Sequence, residues 1–183
     1  MKKLFVVLLC GLCGAVLTAN AKSLNLANDS SNAYYKANAS VLVLGSDEII
    51  GANKANSGSI KMQNGEIIGG EIIISASAFD TQNKRRDKHI REILHSDTHP
   101  KIVYEILSQG EKHGQIYIDG NLKINGIVKQ KQIPVKIEKN GENITISGQI
   151  SVRYDEFDLE LPTMGFIKKA HETIEIGGKF TFK

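Results

Sequence analysis

Over most of its length this chain alternates apolar and polar side chains one for one, the pattern of β-strands that bury a single face. Gly70 to Ala78 sets Ile72, Ile74 and Ala76 on one side, against Glu71 and Ser75. Ile102, Tyr104 and Ile106 share a face opposite Lys101 and Glu105. The longest run places Ile116, Ile118, Leu122 and Ile124 against Gln115, Asp119, Asn121, Lys123 and Asn125. Val135 and Ile137 alternate with Lys136 and Glu138, and Ile144, Ile146, Ile150 and Val152 with Thr145, Ser147, Gln149 and Arg153. Ile174, Ile176, Phe180 and Phe182 close the series against Glu175, Lys179 and Thr181. With weaker runs near 34–44 and 58–64, the pattern predicts about eight strands, each with one dry and one wet face. A sandwich and a closed barrel both satisfy that requirement.

Turn chemistry falls between the runs. Asn64-Gly65 and Asn140-Gly141 predict two-residue hairpins, because both residue types tolerate positive φ. Gly69-Gly70, Asp119-Gly120 and Asn125-Gly126 are weaker signals and read as bulges or bends. Residues 82–99 break the alternation. Ile90, Ile93 and Leu94 stand at helical spacing, Asp80, Thr81 or Asn83 offers a cap, and Pro100 ends the excursion. One short helix near 82–95 is expected, apolar on one side. Lys84, Arg85, Arg86, Lys88 and Arg91 make its other side the most cationic stretch of the chain beyond its N-terminal segment.

The N-terminus has a different grammar. Met1-Lys2-Lys3 leads into the apolar run Leu4 to Leu17, followed by Thr18-Ala19-Asn20-Ala21. This is the three-part pattern of a secretory signal, with cleavage expected after Ala21. Fourteen helical residues would span about 21 Å, short of a hydrocarbon core of roughly 30 Å. Both cysteines, Cys10 and Cys13, lie inside this segment and each follows Leu, the wrong neighbour for lipid attachment. The mature chain therefore has no thiol chemistry and no disulfide to hold it, and must rely on a hydrophobic core. Of the formal charge of +3, Lys2 and Lys3 supply two, leaving +1. That balance argues against a dedicated nucleic-acid binder. Residues 22–32 read as a flexible leader and 33–183 as one domain.

Conventional catalytic and metal signatures are missing. No Gly-x-Ser-x-Gly, His-Glu-x-x-His or glycine-rich phosphate loop occurs. His95 and His99 are spaced for two metal ligands on a continuing helix, with Asp97 nearby, yet no third strong ligand stands at a recognisable distance. Neither a metal nor a cofactor is expected.

Four segments in order carry a family resemblance. They are Ala78-Phe79-Asp80-Thr81, Arg86-Asp87-Lys88-His89-Ile90-Arg91, His99-Pro100-Lys101-Ile102-Val103-Tyr104, and Gly120 to Lys129 followed by Ile133-Pro134-Val135. Together, over roughly residues 34–183, they resemble the YceI-like family of lipocalin-like, polyisoprenoid-binding secreted proteins. Departures are visible: Ala39-Ser40 stands where the family often carries His-Ser, Ile93-Leu94 replaces a Phe-Phe pair, and Glu156-Phe157-Asp158 replaces Asp-Phe-Gly. The segment before Pro100 is also shorter. These bear on ligand identity more than on fold.

The resemblance implies an all-β fold, an extended eight-stranded antiparallel lipocalin-like barrel, around an elongated apolar channel. Its ligand would be a long-chain amphiphile: a polyisoprenoid, an isoprenoid quinone or a fatty-acid derivative. The channel would be lined by Ile72, Ile74, Ala76, Ile102, Tyr104, Ile106, Ile116, Ile118, Leu122, Ile124, Val135, Ile150, Val152 and Phe180. The same inward faces would serve a packed core equally well. Arg85, Arg86 and His89 are candidates for the head group; the alternative is a solvated helix face with Arg86 paired to Asp87 and His89 a strut. The implied setting is periplasmic, with no stable membrane insertion after signal cleavage, and a homodimer is left open. Two rival classes stand beside the carrier: an envelope scaffold protein, and a lipid-modifying enzyme using His89, Asp87 or Tyr104.

Overall fold

The computed structural model describes residues 20–41, 45–161 and 168–183. The expected signal lies outside the described residues except for its last two positions. Ten antiparallel strands form one sheet: β1 Lys22–Asn25, β2 Asn32–Val41, β3 Gly45–Asn53, β4 Asn56–Gln63, β5 Glu66–Ser75, β6 Lys101–Lys112, β7 Gln115–Ile124, β8 Ile127–Asn140, β9 Asn143–Arg153 and β10 Lys168–Phe182. Their order is β1-β4-β5-β6-β7-β8-β9-β10-β2-β3.

The count of ten corrects the expected eight, and the reason is local. β1 and β2 are one chain run broken by a 3-10 turn at Asn28–Ser30, where the Ser31 hydroxyl donates to the Ala27 carbonyl and accepts from the Thr181 amide. β3 and β4 are likewise one run broken at Lys54–Ala55, where the Asn53 side chain accepts from the Ala55 amide and donates to the Ser75 carbonyl. Counted as chain runs, the sheet has the eight staves that the alternation implied.

Residues 22–32 are not a loose leader. β1 pairs with β4 through Leu24↔Ile60, and on its other side Asn25 exchanges both backbone bonds with Lys183 at 2.9 Å. Leu26 then bridges Phe182 while donating to Gly58. β1 therefore lies between β4 and the C-terminal end of β10 and ties these two sides of the curled sheet together. Leu24 gives the physical cause: it is buried among Ile60, Ile67 and Phe182, which an alternation count starting at residue 33 had no means to include.

The turns follow residue chemistry with two corrections. Asn64-Gly65 reverses the chain as expected, both residues at positive φ. Asn125-Gly126 also reverses it, between the Ile124↔Ile127 pair, instead of making a bend. The β8–β9 reversal sits one residue later than read, on Gly141-Glu142 inside the Asn140↔Asn143 pair. His113-Gly114 supplies a third reversal with two positive φ values. Gly70 and Gly120 lie within strands, close to register shifts in β4 and β6.

The helix α1 spans Lys84–Ile93, and its cap is Asn83, whose Oδ1 accepts from the amides of Arg85 and Arg86. Ile93 is buried, with Ile90 and Leu94 packed beside it against the core. Asp87 ties the helix back to the preceding loop by accepting from the Thr81 hydroxyl at 2.6 Å and its amide at 2.9 Å. Burial pushes the Asp87 carboxyl upward, but these two bonds, with Arg91 and Arg86 nearby, hold it below the usual range.

Candidate functional site

The barrel interior is packed at the β1 end by Leu24, Ile60, Ile67 and Phe182, and hollow further along. This void is a narrow apolar slot with about 70 Å³ of open space. Ile72, Ile74, Ile102, Tyr104, Ile106, Ile118, Leu122, Val135, Ile150 and Phe180 line it, together with Ile133, Ile146, Ile176 and a glycine-rich strip at Gly148, Gly177 and Gly178. A second hollow lies under α1, walled by Tyr35, Phe79, Ile90, Ile93, Leu94, Tyr154, Leu159 and Ile174. Ile102 and Ile176 belong to both. The two hollows therefore adjoin across these side chains, one at the barrel waist and one under the helix.

Four residues expected along the channel stand elsewhere. Ala76, Ile124 and Val152 are buried but border neither hollow, because this end of the interior is filled by packed side chains, with Phe157 fully buried. Ile116 is half-buried and faces a shallow surface groove with Gln115, Pro134 and Ile137, beyond the packed end of the slot. The missed wall residues include Ile133, Ile146, Ile176, Tyr35, Phe79 and Tyr154. Ile146 and Ile176 were visible in the alternation; Tyr35 was not, because its flanking inward positions are only Ala33 and Ala37.

The wall is incomplete between β8 and β9. The β8–β9 ladder runs from Asn140↔Asn143 only as far as Val135↔Gly148. Pro134 stands at the point where it stops and has no N–H to extend it. Beyond this point β8 pairs with β7 alone and β9 with β10 alone. Ile133, Gly148, Gln149 and Ile150, all lining the void, border the split. Lys131 of β8 forms an ion pair with Glu156, just past β9, and the Arg153 amide donates to the same carboxylate. These contacts, the hydrogen bond from Lys131 first, hold the Glu156 carboxyl below its usual range against the opposing effect of burial.

Polar groups inside are few. The Tyr104 ring lies across Gly120, and its hydroxyl donates to the Ile118 carbonyl at 2.7 Å, with the Lys131 carbonyl at 3.0 Å. Burial pushes its phenol upward, and that of Tyr154 up to about 12, so both remain protonated. Of the head-group candidates, Arg85 is exposed, whereas Arg86 and His89 are half-buried. Arg86 Nη2 donates to the Thr81 carbonyl, and His89 Nδ1 lies 3.6 Å from Glu92. His95 takes a left-handed conformation just after the helix, so it and His99 do not share a helical face. Among the described residues no three His, Cys, Asp or Glu side chains gather around a common point, and no helix is long and apolar enough to cross a membrane.

Comparison with known proteins adds the following. The model of the YceI-like domain matches residues 25–182. A UPF0312 protein of Pectobacterium carotovorum is 32% identical over 75 residues, covering 39% of this chain and 38% of the relative. A YceI protein of Salmonella arizonae is 28% identical over 74 residues, 39% of each chain. These alignments thus span about two-fifths of the curated relatives. Among solved structures, Burkholderia cenocepacia BcnA superposes with a TM-score of 0.72 at 16% identity, covering 85% of this chain and 98% of that one. A polyisoprenoid binding domain from Saccharophagus degradans gives 0.67 at 14% identity, covering 87% and 97%.

Proposed function

Because the chain belongs to the YceI-like family, with the family domain running through all ten strands, we propose that it binds a long-chain amphiphile inside the barrel and carries or sequesters it without covalent chemistry. The observation that carries this reading is the apolar lining of the barrel void and of the hollow that adjoins it under α1. Each methylene buried there contributes about 0.8 kcal/mol, so a chain of about fifteen carbons supplies on the order of 10 kcal/mol before ordering costs. The wall asks for a hydrocarbon tail and almost nothing else. A polyisoprenoid, the class named for the Saccharophagus degradans relative, offers such a tail. Export to the periplasm, with cleavage after Ala21, completes the reading; it rests on the Met1–Ala21 pattern.

Native mass spectrometry of the protein purified from its own envelope, with organic extraction, tests both parts. The expected result is a chain beginning at Lys22 that releases one long-chain lipid. Ile150→Phe combined with Ile133→Phe fills the slot with apolar atoms and without burying charge. Lipid uptake should drop at least tenfold while the melting temperature holds or rises. A protein that never accepts an apolar chain would end the carrier reading.

A further inference from the structure

Among the described residues, four buried side-chain atoms on β2, on α1 and in the turn after it find no hydrogen-bonding partner: the Tyr35 hydroxyl, Arg86 Nε, His89 Nε2 and Ser96 Oγ. Buried polar groups are nearly always satisfied, so such a set calls for an explanation. Tyr35 is the most firmly placed of them. It is 2% exposed, its ring meets Phe79 edge-on at 5.2 Å, and its other side lies so close to Gly51 that a Cβ there would come within 2.2 Å of Cε1. With both neighbours fixing the ring, the hydroxyl has little freedom to seek a partner elsewhere. Tyr35 is also part of the wall of the hollow beneath α1, which adjoins the barrel void across Ile102 and Ile176. Arg86 and His89 are three apart on α1 and so project from one side of it.

We infer that this hollow seats the polar end of the ligand and selects a neutral hydrogen-bond-accepting oxygen of the carbonyl type, through the Tyr35 hydroxyl. The inference rests on the carrier reading above and specifies its head group. Tyr35 is the donor in the wall, and burial, with Asp87 next in effect, pushes its phenol upward so that it keeps its proton. A head group lacking an acceptor oxygen would leave it unpaired. Charge decides between a carbonyl and a phosphate. Arg86 has Asp87 as its chain neighbour, an ionised carboxylate already engaged by Thr81, so the surroundings of the buried donors are close to neutral. A phosphate entering here would be desolvated beside that carboxylate. The cations without such a neighbour, Lys84 and Arg85, are exposed on the outside of the helix and do not border the hollow. The head-group position expected at Arg85, Arg86 and His89 is therefore recast as a carbonyl site at Tyr35.

Titrations of the full mature chain with hexadecane, hexadecan-2-one and hexadecyl phosphate, read by native mass spectrometry, test the proposal. Wild-type protein should prefer the ketone to the hydrocarbon by about tenfold, which corresponds to about 1.4 kcal/mol, and should bind the phosphate less well than the ketone. Tyr35→Phe keeps the ring and its contact with Phe79 while removing the hydroxyl. In that variant the ketone-to-hydrocarbon ratio should fall to about one, with no drop in the melting temperature of the empty protein. A preference that survives Tyr35→Phe, or tighter binding of the phosphate, would overturn the carbonyl assignment while leaving the carrier standing. Failure of the wild type to bind any of the three would overturn both.

Discussion

At the scale of single residues, Gly120 shows how the interior is kept open. A Cβ at this position would lie 2.2 Å from the Glu105 carbonyl and 2.7 Å from Cζ of Tyr104. Its absence lets the Tyr104 ring lie flat against β7, with the hydroxyl anchored on backbone carbonyls of β7 and β8. A tyrosine displaced from that seat has only the slot to move into. Gly120→Ala should accordingly destabilise the protein by about 1–3 kcal/mol, the usual cost of overpacking. The check is a lower urea midpoint with an unchanged m-value, and an unaltered midpoint would show that the backbone gives way freely. The inward direction of Tyr104 was legible in the alternation of Ile102, Tyr104 and Ile106. The role of Gly120 was not, because Asp119-Gly120 reads as a bulge or bend signal, and the neighbour that forbids a side chain lies on another strand.

At the scale of elements, the β8–β9 seam matters most for function. A complete ladder would make the void reachable only from the barrel ends, whereas here a backbone gap borders it directly. The Lys131–Glu156 pair spans that gap, with side chains 19% and 28% exposed, so it is screened less than a surface pair. Because the folded-state value of Glu156 is lowered, the contribution of the pair is complete above the ordinary carboxylate value and is lost as pH falls through the folded one. Ligand uptake followed by stopped-flow fluorescence should therefore be slowest near neutral pH and should quicken in acid. Glu156→Gln should take up ligand faster at neutral pH and show little further change on acidification. Equal rates for the two proteins at neutral pH would mean that entry does not use the seam. From sequence, Pro134 figures only in the Ile133-Pro134-Val135 piece of the family resemblance. Which ladder it terminates depends on which strand lies beside it, and periodicity carries no information about that. Of the hairpin reversals Asn64-Gly65 was the accessible one, since an Asn-Gly pair acts through its own backbone torsions, whereas His113-Gly114 carries no such sequence signal.

At the scale of the whole molecule, the barrel depends on residues at opposite ends of the chain. Asn25 and Lys183 exchange backbone bonds, Ala27 donates to Thr181, and the Ser31 hydroxyl accepts from the same residue. Contacts separated by about 150 positions leave no trace in a local pattern, so the alternation disclosed the staves but not that the first and last strands lie side by side. The distinction has consequences for stability. An unjoined sheet would expose two edges and let Ile60 and Phe182 reach solvent, yet both are fully buried. Leu24 is the side chain that β1 contributes to this end, and it is 3% exposed. Leu24→Ala should remove about 2–5 kcal/mol, the range for truncating a buried leucine, and lower the melting temperature by roughly 2–4 °C per kcal/mol for a domain of this size. Hydrogen exchange separates a closing strand from an ordinary core contact. If β1 joins the barrel, amides at Asn25, Leu26 and Lys183 should lose protection together in Leu24→Ala, while β6 and β7 keep theirs. Uniform loss across all strands would instead make β1 part of a single cooperative core, and unchanged protection at Lys183 would show that the barrel holds without it.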